Sequence, residues 1–569
     1  MPLDHAPGGR RSGDDRVRAL ADDYWETFLE ANPMTATFLG DHRYDDRIED
    51  LSVAGEAALR RRWAALMDRL RAIDLADLDR ATCTQLAVEL GDAMAAIDDR
   101  VVELQSDQMT GFHVGLLILA SLVSAPDAES AWKQVERLRQ VPGAFAQAGQ
   151  RFVEGAAAGR TPARVCVERS LNMITGYLDS PPDADVFARM AGPADWDEEP
   201  AWRQALDDVV RDAVRPAYRR LAELLTEHLL PVARDDEHAG LRWLPDGDRL
   251  YGTLMRHHTS LDVSAGDIHQ FGLDEVTGKL PKEYAEVGGR LFGLRHPHEV
   301  FARLREDTSL RYASAEEMLG AARAVLESAT AVMPRWFGRL PRTPCTICPV
   351  PEFLAPDSPF AYYVPPAPDG SRGGTYFVNT ANPEDHSRFD GAAVGFHEAI
   401  PGHHLQLTIA SELTDLPKFR RFSQFNAAYC EGWGLYSERL ADEMGLYPGD
   451  LDRIGMLSAD SLRSCRLVVD TGLHALGWSR RQAIEFMTTH TPMSPSEVAV
   501  EVDRYIAMPG QALAYKVGQR EIFRLRAAAE SALGGAFDIK DFHDVVLGSG
   551  SVALPVLRQE VEDWMAGKR

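Results

Sequence analysis

Cysteine is scarce: there are six in 569 residues, Cys83, Cys166, Cys345, Cys348, Cys430 and Cys465. That density excludes a disulfide-stapled secreted scaffold. Cys345 and Cys348 form a lone C-x-x-C in TPCTICPV, with no second ligand pair nearby, so they read as two side chains of a short strand rather than half of a zinc ribbon. A long apolar run is missing too. The longest charge-free stretch, residues 108–126, holds FHVGLLILASLVSA, but His113, Ser121, Ser124 and Pro126 make it a poor membrane span and a good buried helix. Positive charge is in deficit, with 61 Lys+Arg against 86 Asp+Glu and a net charge of -25. Such a surface repels phosphate backbones and anionic lipid headgroups, which argues against nucleic acid as a partner and against membrane insertion. The opening MPLDHAPGGRRSGDDRVRAL lacks the apolar core of an export signal. With few, reduced thiols this predicts a cytoplasmic protein and a flexible stretch over residues 1–13. No fixed-period repeat is present, which excludes a solenoid.

What remains is a mainly helical sequence with 45% hydrophobic residues, enough for a sizeable core. Helical spacing of apolar residues predicts helices over residues 16–30, 57–73, 83–102, 201–230, 314–333 and 451–469. Ser314 and Glu317 suit a capping box, and Pro231 and Pro334 suit helix ends. One segment departs from this rule. Residues 343–380 are rich in Pro and β-formers and predict two strands, 360–364 and 375–379, joined by PPAPDGSRGG. A strand edge there, at Thr375 and Tyr376, could hold an extended peptide. The expected fold is mainly α: a single two-lobed domain over residues 14–566, with a helical lobe 14–300 and a lobe 301–566 that carries the β-hairpin and the metal-site helices.

The chemistry concentrates in GFHEAIPGHHLQLTIASEL, residues 395–413. Neutral imidazoles are the usual nitrogen ligands of transition metals. In H-E-x-x-H both histidines share a helix face and the Glu serves as base. Here the position four after His397 is Pro401, and the next histidines are His403 and His404. On an unbroken helix His404 would return to the face of His397 but about 10.5 Å away. Pro401-Gly402 predicts a kink or bulge, and a turn expanded by two residues would return His403 to the required position. His403 is therefore the expected second ligand, with His404 beside it. The third ligand should be a carboxylate on another helix. AAYCEGWGLYSERLADEMG supplies Glu431, flanked by small and aromatic residues, with Glu438 as the fallback two turns on.

H-E-A-x-P-G-H-H-L-Q followed by E-G-W-G-L-Y-S-E resembles the bacterial domain-of-unknown-function 885 family, grouped with gluzincin-type zinc metallopeptidases. TATFLGDHRYDDRIEDLS, AYYVPP, GGTYFVN, SCRLVVDTGLHALGWSRRQAIEFM and RYIAMPGQALAYKVGQREIFRLR add to the likeness. The resemblance implies one Zn2+ held by His397, His403 and Glu431, with Glu398 as the general base and a late-helix tyrosine, here Tyr515, as oxyanion donor. Arg466 is a candidate for a substrate carboxylate, with an ordinary salt bridge as the favoured alternative. Asp470 and His474, four apart, are candidates for a pair orienting a ligand, with a plain i,i+4 contact as the alternative. The expectation is a zinc-dependent peptidase acting on short peptides. The alternatives are a hydrolase of another amide or ester, and a non-catalytic peptide- or metal-binding protein.

Overall fold

A computed structural model describes residues 8–73, 79–351, 355, 359–368, 370, 372–423 and 426–568. The chain is mainly α-helical with one small sheet. It divides into two compact units, Met1–Leu250 with Ile506–Met508, and Tyr251–Tyr505 with Pro509–Arg569. The division falls at residue 250 and not near 300 as expected. The reason is local packing: at Gly272, on helix Ala265–Asp274, a Cβ would lie 2.7 Å from Val468 and 2.9 Å from Leu467. Helix Ala265–Asp274 therefore belongs with helix Asp450–His474.

The first unit is helical, and its core is built from residues such as Val135, Phe145, Phe152, Trp202 and Tyr218. The charge-free stretch forms helix Phe112–Leu122 in this unit, and among the described residues no helix is long and apolar enough to cross a membrane. Helix Gly8–Ala31 begins before residue 14, so residues 8–13 are helical where a flexible terminus was expected; residues 1–7 lie outside the described residues. The TATFLGDHRYDDR segment is organised by one buried cation. Arg137 donates to Thr37 Oγ1 at 2.7 Å, Tyr44 O at 2.9 Å and Arg47 O at 2.7 Å. The 201–230 stretch forms helix from Glu199 through two π-turns and ends in the 3-10 turn Leu230–Val232 around Pro231.

The second unit holds the sheet and the site helices. Helix Ala315–Trp336 starts as expected, with Ser314 accepting from the Glu317 N–H, but continues through Pro334 to Trp336. The sheet differs from a hairpin. Strand β2 (Ala361–Val364) pairs antiparallel with β3 (Gly374–Val378), and β1 (Cys345–Pro349) pairs parallel with the other side of β3. The C-x-x-C segment is thus a strand. β3 is central, both its edges are occupied, and Tyr376 is 1% exposed in a core with Tyr312, Met318 and Ala399. Strand addition of a peptide along Thr375 and Tyr376 is therefore excluded: their backbone groups already pair with β1 and β2.

Glycines set the closest helix approach. A Cβ on Gly432 would stand 2.5 Å from the Gly518 backbone, and one on Gly518 would stand 1.8 Å from Ala428 O. Helices Ala427–Glu443 and Ala514–Leu533 can touch only because both positions lack a side chain. Gly518→Ala should cost about 1–3 kcal/mol through overpacking, read as a lower urea midpoint with an unchanged slope.

Candidate metal centre

His397 lies near the end of helix Asp390–Glu398. The small residues of DGAAVG let neighbours close on that helix. A Cβ on Gly395 would meet Val325 at 2.8 Å, and one on Gly455 would meet Phe389 O at 1.8 Å. The chain then leaves helical geometry at Ala399, passes Pro401, and restarts as helix His403–Glu412. The expected bulge is in fact a full break between two helices. Gly402 is required by proximity, since a Cβ there would sit 1.8 Å from His397 O. The break is fixed through one carbonyl: Pro401 O accepts from Trp433 Nε1 at 2.9 Å and from Ser437 Oγ at 3.2 Å.

This geometry turns both imidazoles toward Glu431. His397 Nε2 and His403 Nε2 each lie 3.4 Å from Glu431 Oε2, and the rings stand 4.7 Å apart at 90°. Among the described residues these three form the group whose ligand atoms all lie within 4.8 Å of one another. Two atoms bound at about 2.1 Å to one tetrahedral ion stand about 3.4 Å apart, so the spacing suits a metal with an open fourth position. Gly434 makes room, since a Cβ would fall 2.7 Å from His397 Nε2.

The tautomers suit this as well. His397 Nδ1 contacts Glu438 Oε1 at 2.8 Å, so Nδ1 holds a proton toward Glu438 and Nε2 is the ring nitrogen turned to Glu431. Glu438 thus stands behind His397 and Glu431 in front of it, which makes Glu431 the candidate ligand and Glu438 the orienting partner of His397. His403 Nδ1 lies 3.7 Å from Cys430 Sγ. Burial lowers the basicity of both imidazoles, but Glu431 with Glu438 on His397, and Cys430 with Glu431 on His403, outweigh it and raise both. Burial pushes the Glu398 carboxyl above its ordinary range against the opposing pull of His397 and His403.

His404 points elsewhere. Its Nδ1 meets Tyr363 Oη at 2.9 Å, and burial pushes it down to about 4, so it is a neutral link to the sheet and not a support of the ligands. Tyr515 is brought close, its ring 6.4 Å from that of His397, with its hydroxyl accepting from Arg504 Nη2 at 3.2 Å. Arg466 donates to Tyr505 Oη at 3.0 Å and Glu501 at 2.9 Å and lies over the Tyr515 ring at 4.5 Å. The Asp470–His474 pairing does not form a ligand support. Asp470 accepts from Tyr251 at 2.6 Å and Gly510 N–H at 3.1 Å, and His474 Nε2 donates to Tyr505 O at 3.0 Å. Cys430 as a partner of His403 was missed; its place one residue before Glu431 was the only signal. The role of Glu438 was legible only as a shared helix face with Glu431.

The fold and the site together define a mainly α protein with a His-His-Glu centre at a helix break. Residues 33–561 match the family described as "Bacterial protein of unknown function (DUF885)", and the chain belongs to that family. Among solved structures, a "putative lipoprotein" from Colwellia psychrerythraea is 27% identical, with a TM-score of 0.90, over 97% of this chain and 99% of that one. A "putative lipoprotein of unknown function" from Shewanella oneidensis is 19% identical, with a TM-score of 0.74, over 96% of this chain and 98% of that one, and shares the fold. No curated protein matches the chain.

Two outcomes follow. Purified protein should bind one zinc ion; His403→Gln should abolish binding in a competitive-chelator titration, Glu438→Gln should weaken it about 10–100-fold, and His404→Gln should leave it intact. Burial raises the Asp470 carboxyl to about 7. The folded state then holds more protons than the unfolded one between about pH 4 and 7, so this group costs stability as pH rises through that window. Asp470→Asn should remove a loss on the order of 2 kcal/mol between pH 5 and 8, measured by urea unfolding at both values.

Proposed function

We propose that this protein is a zinc-dependent hydrolase of short peptides, built on a gluzincin-like centre. The observation that carries the reading is the His397–His403–Glu431 group with Glu398 one residue from the first ligand. Two imidazoles and one carboxylate around an open position form the donor set of a catalytic zinc. Zinc bound there would supply Lewis-acid activation of water and carbonyl. Glu438 holds the His397 ring, as a carboxylate behind a ligating histidine does. Glu398, with its carboxyl raised by burial, takes the proton of the attacking water and returns it to the leaving amine. Arg504 donates to the Tyr515 oxygen, which leaves the Tyr515 O–H proton free to donate to a developing oxyanion. The occupied edges of β3 remove the strand as a peptide rail, so the peptide is read as held by side chains.

A binder without catalysis would have no use for a base at Glu398, next to the first candidate ligand, which favours the enzyme. A hydrolase of non-peptide amides shares every residue named and differs only in its acyl group. The cytoplasmic reading rests on thiols, and no disulfide joins cysteines among the described residues. The Colwellia psychrerythraea relative carries the description lipoprotein, which favours a lipid-anchored setting instead. Cell fractionation separates the two. For the chemistry, Glu398→Gln should keep zinc at one per chain while peptide turnover falls about 10³-fold or more, measured by mass spectrometry on a peptide mixture. Cleavage at the wild-type rate by the zinc-loaded variant would falsify the assignment of the base.

A further inference from the structure

We propose that Arg463, Arg466 and Arg504 form a carboxylate subsite beside the metal centre, which selects substrates with a free C-terminal carboxylate. The proposal rests on the peptidase reading above and narrows it to cleavage near a peptide's C-terminus. The three guanidinium groups gather around one ring: Arg466 lies 4.5 Å and Arg463 5.7 Å from the Tyr515 centroid, and Arg504 Nη2 is 3.2 Å from its hydroxyl. That ring is itself 6.4 Å from His397.

Glu501 bonds Arg466 at 2.9 Å and lies 3.8 Å from Arg504. Arg463 lies 3.9 Å from Glu438 Oε1, the oxygen that also meets His397 Nδ1, and it acts electrostatically on Glu398 and Asp390 as well. Lys516 adds nothing, because Asp460 and Glu275 neutralise it. Each of the three arginines also keeps a buried donor without an acceptor among the described residues: Arg463 Nε, Arg466 Nη1 and Arg504 Nε. Arg466 is only 4% exposed. A buried charged donor left unpaired is costly, so three in one cluster call for an acceptor. A planar carboxylate matches the guanidinium fork. With the scissile carbonyl at the metal, the Tyr515 side is where the end of a short peptide would lie.

The test separates this from the reading it rests on by measuring binding without turnover. Zinc-loaded Glu398→Gln protein is titrated calorimetrically with an N-blocked tripeptide as its free acid and as its C-terminal amide. The acid should bind about 10–100-fold tighter. Adding Arg504→Gln or Arg463→Gln, with folding checked by thermal melting, should collapse that ratio toward one. Equal binding of acid and amide, or a ratio that survives in both arginine variants, overturns the subsite. Failure of zinc-loaded wild type to hydrolyse either peptide counts against the peptidase reading, and is a separate measurement.

Discussion

The arrangement of the site depends on a single backbone oxygen. A helix cannot present two histidines six residues apart to one point, because six residues advance the chain about 9 Å and turn it by about 240° beyond the first full circle's start. Breaking the helix after Glu398 and restarting it at His403 removes both constraints. Such a break would leave carbonyls at one helix end and N–H groups at the other without partners. Trp433 Nε1 and Ser437 Oγ both donate to Pro401 O and pin the corner to the helix that carries Glu431. The three side chains of the candidate centre are therefore positioned by one another's scaffolding. Helix Ala427–Glu443 carries Glu431, fixes the corner between His397 and His403, and orients His397 through Glu438.

This explains why the E-G-W-G-L-Y-S-E run is so dense. Glu431 faces the imidazoles, Gly432 admits the backbone at Gly518, and Gly434 clears the His397 ring. Trp433 and Ser437 hold the corner, and Glu438 closes the set. An α-helix has one residue every 100°, so these positions radiate in several directions. Only a helix buried on nearly all sides can use them all. That burial is costly for its charged members. Glu438 Oε2 has no hydrogen-bond partner among the described residues, an expense of about 1–3 kcal/mol that a purely structural helix would shed by carrying an apolar residue. Retaining it makes sense where the other oxygen sets the tautomer of a ligand.

Much of this was legible in sequence. The helices were, because apolar spacing at 3.6 residues reports burial directly, and so was the convergence of His397, His403 and Glu431, because a Pro-Gly breaker between the histidines announces a change of direction. Three features were not. The place of β1 in the sheet depends on a parallel pairing between segments about thirty residues apart, which leaves no local pattern. Asp470 carries the residue type of an orienting carboxylate, but its partners, Tyr251 and the Gly510 N–H, come from distant segments. The choice between Glu431 and Glu438 is one of depth rather than face: both look toward His397, one reaching Nε2 and the other Nδ1.

The net charge of -25 and the arginine cluster seem opposed. They act over different ranges. At physiological salt, surface charges are screened over about 8 Å, so the acidic exterior repels anions only weakly beyond that distance. Buried charges are screened far less, and their interactions dominate once a ligand has entered. An acidic surface around a locally basic pocket therefore does not bar small anions. It disfavours extended polyanions, which must bring many charges against the surface at once. On the proposed reading, a short peptide with one terminal carboxylate would meet that surface with a single charge and gain inside, where Arg466 is held by Tyr505 and Glu501 with one donor still unused.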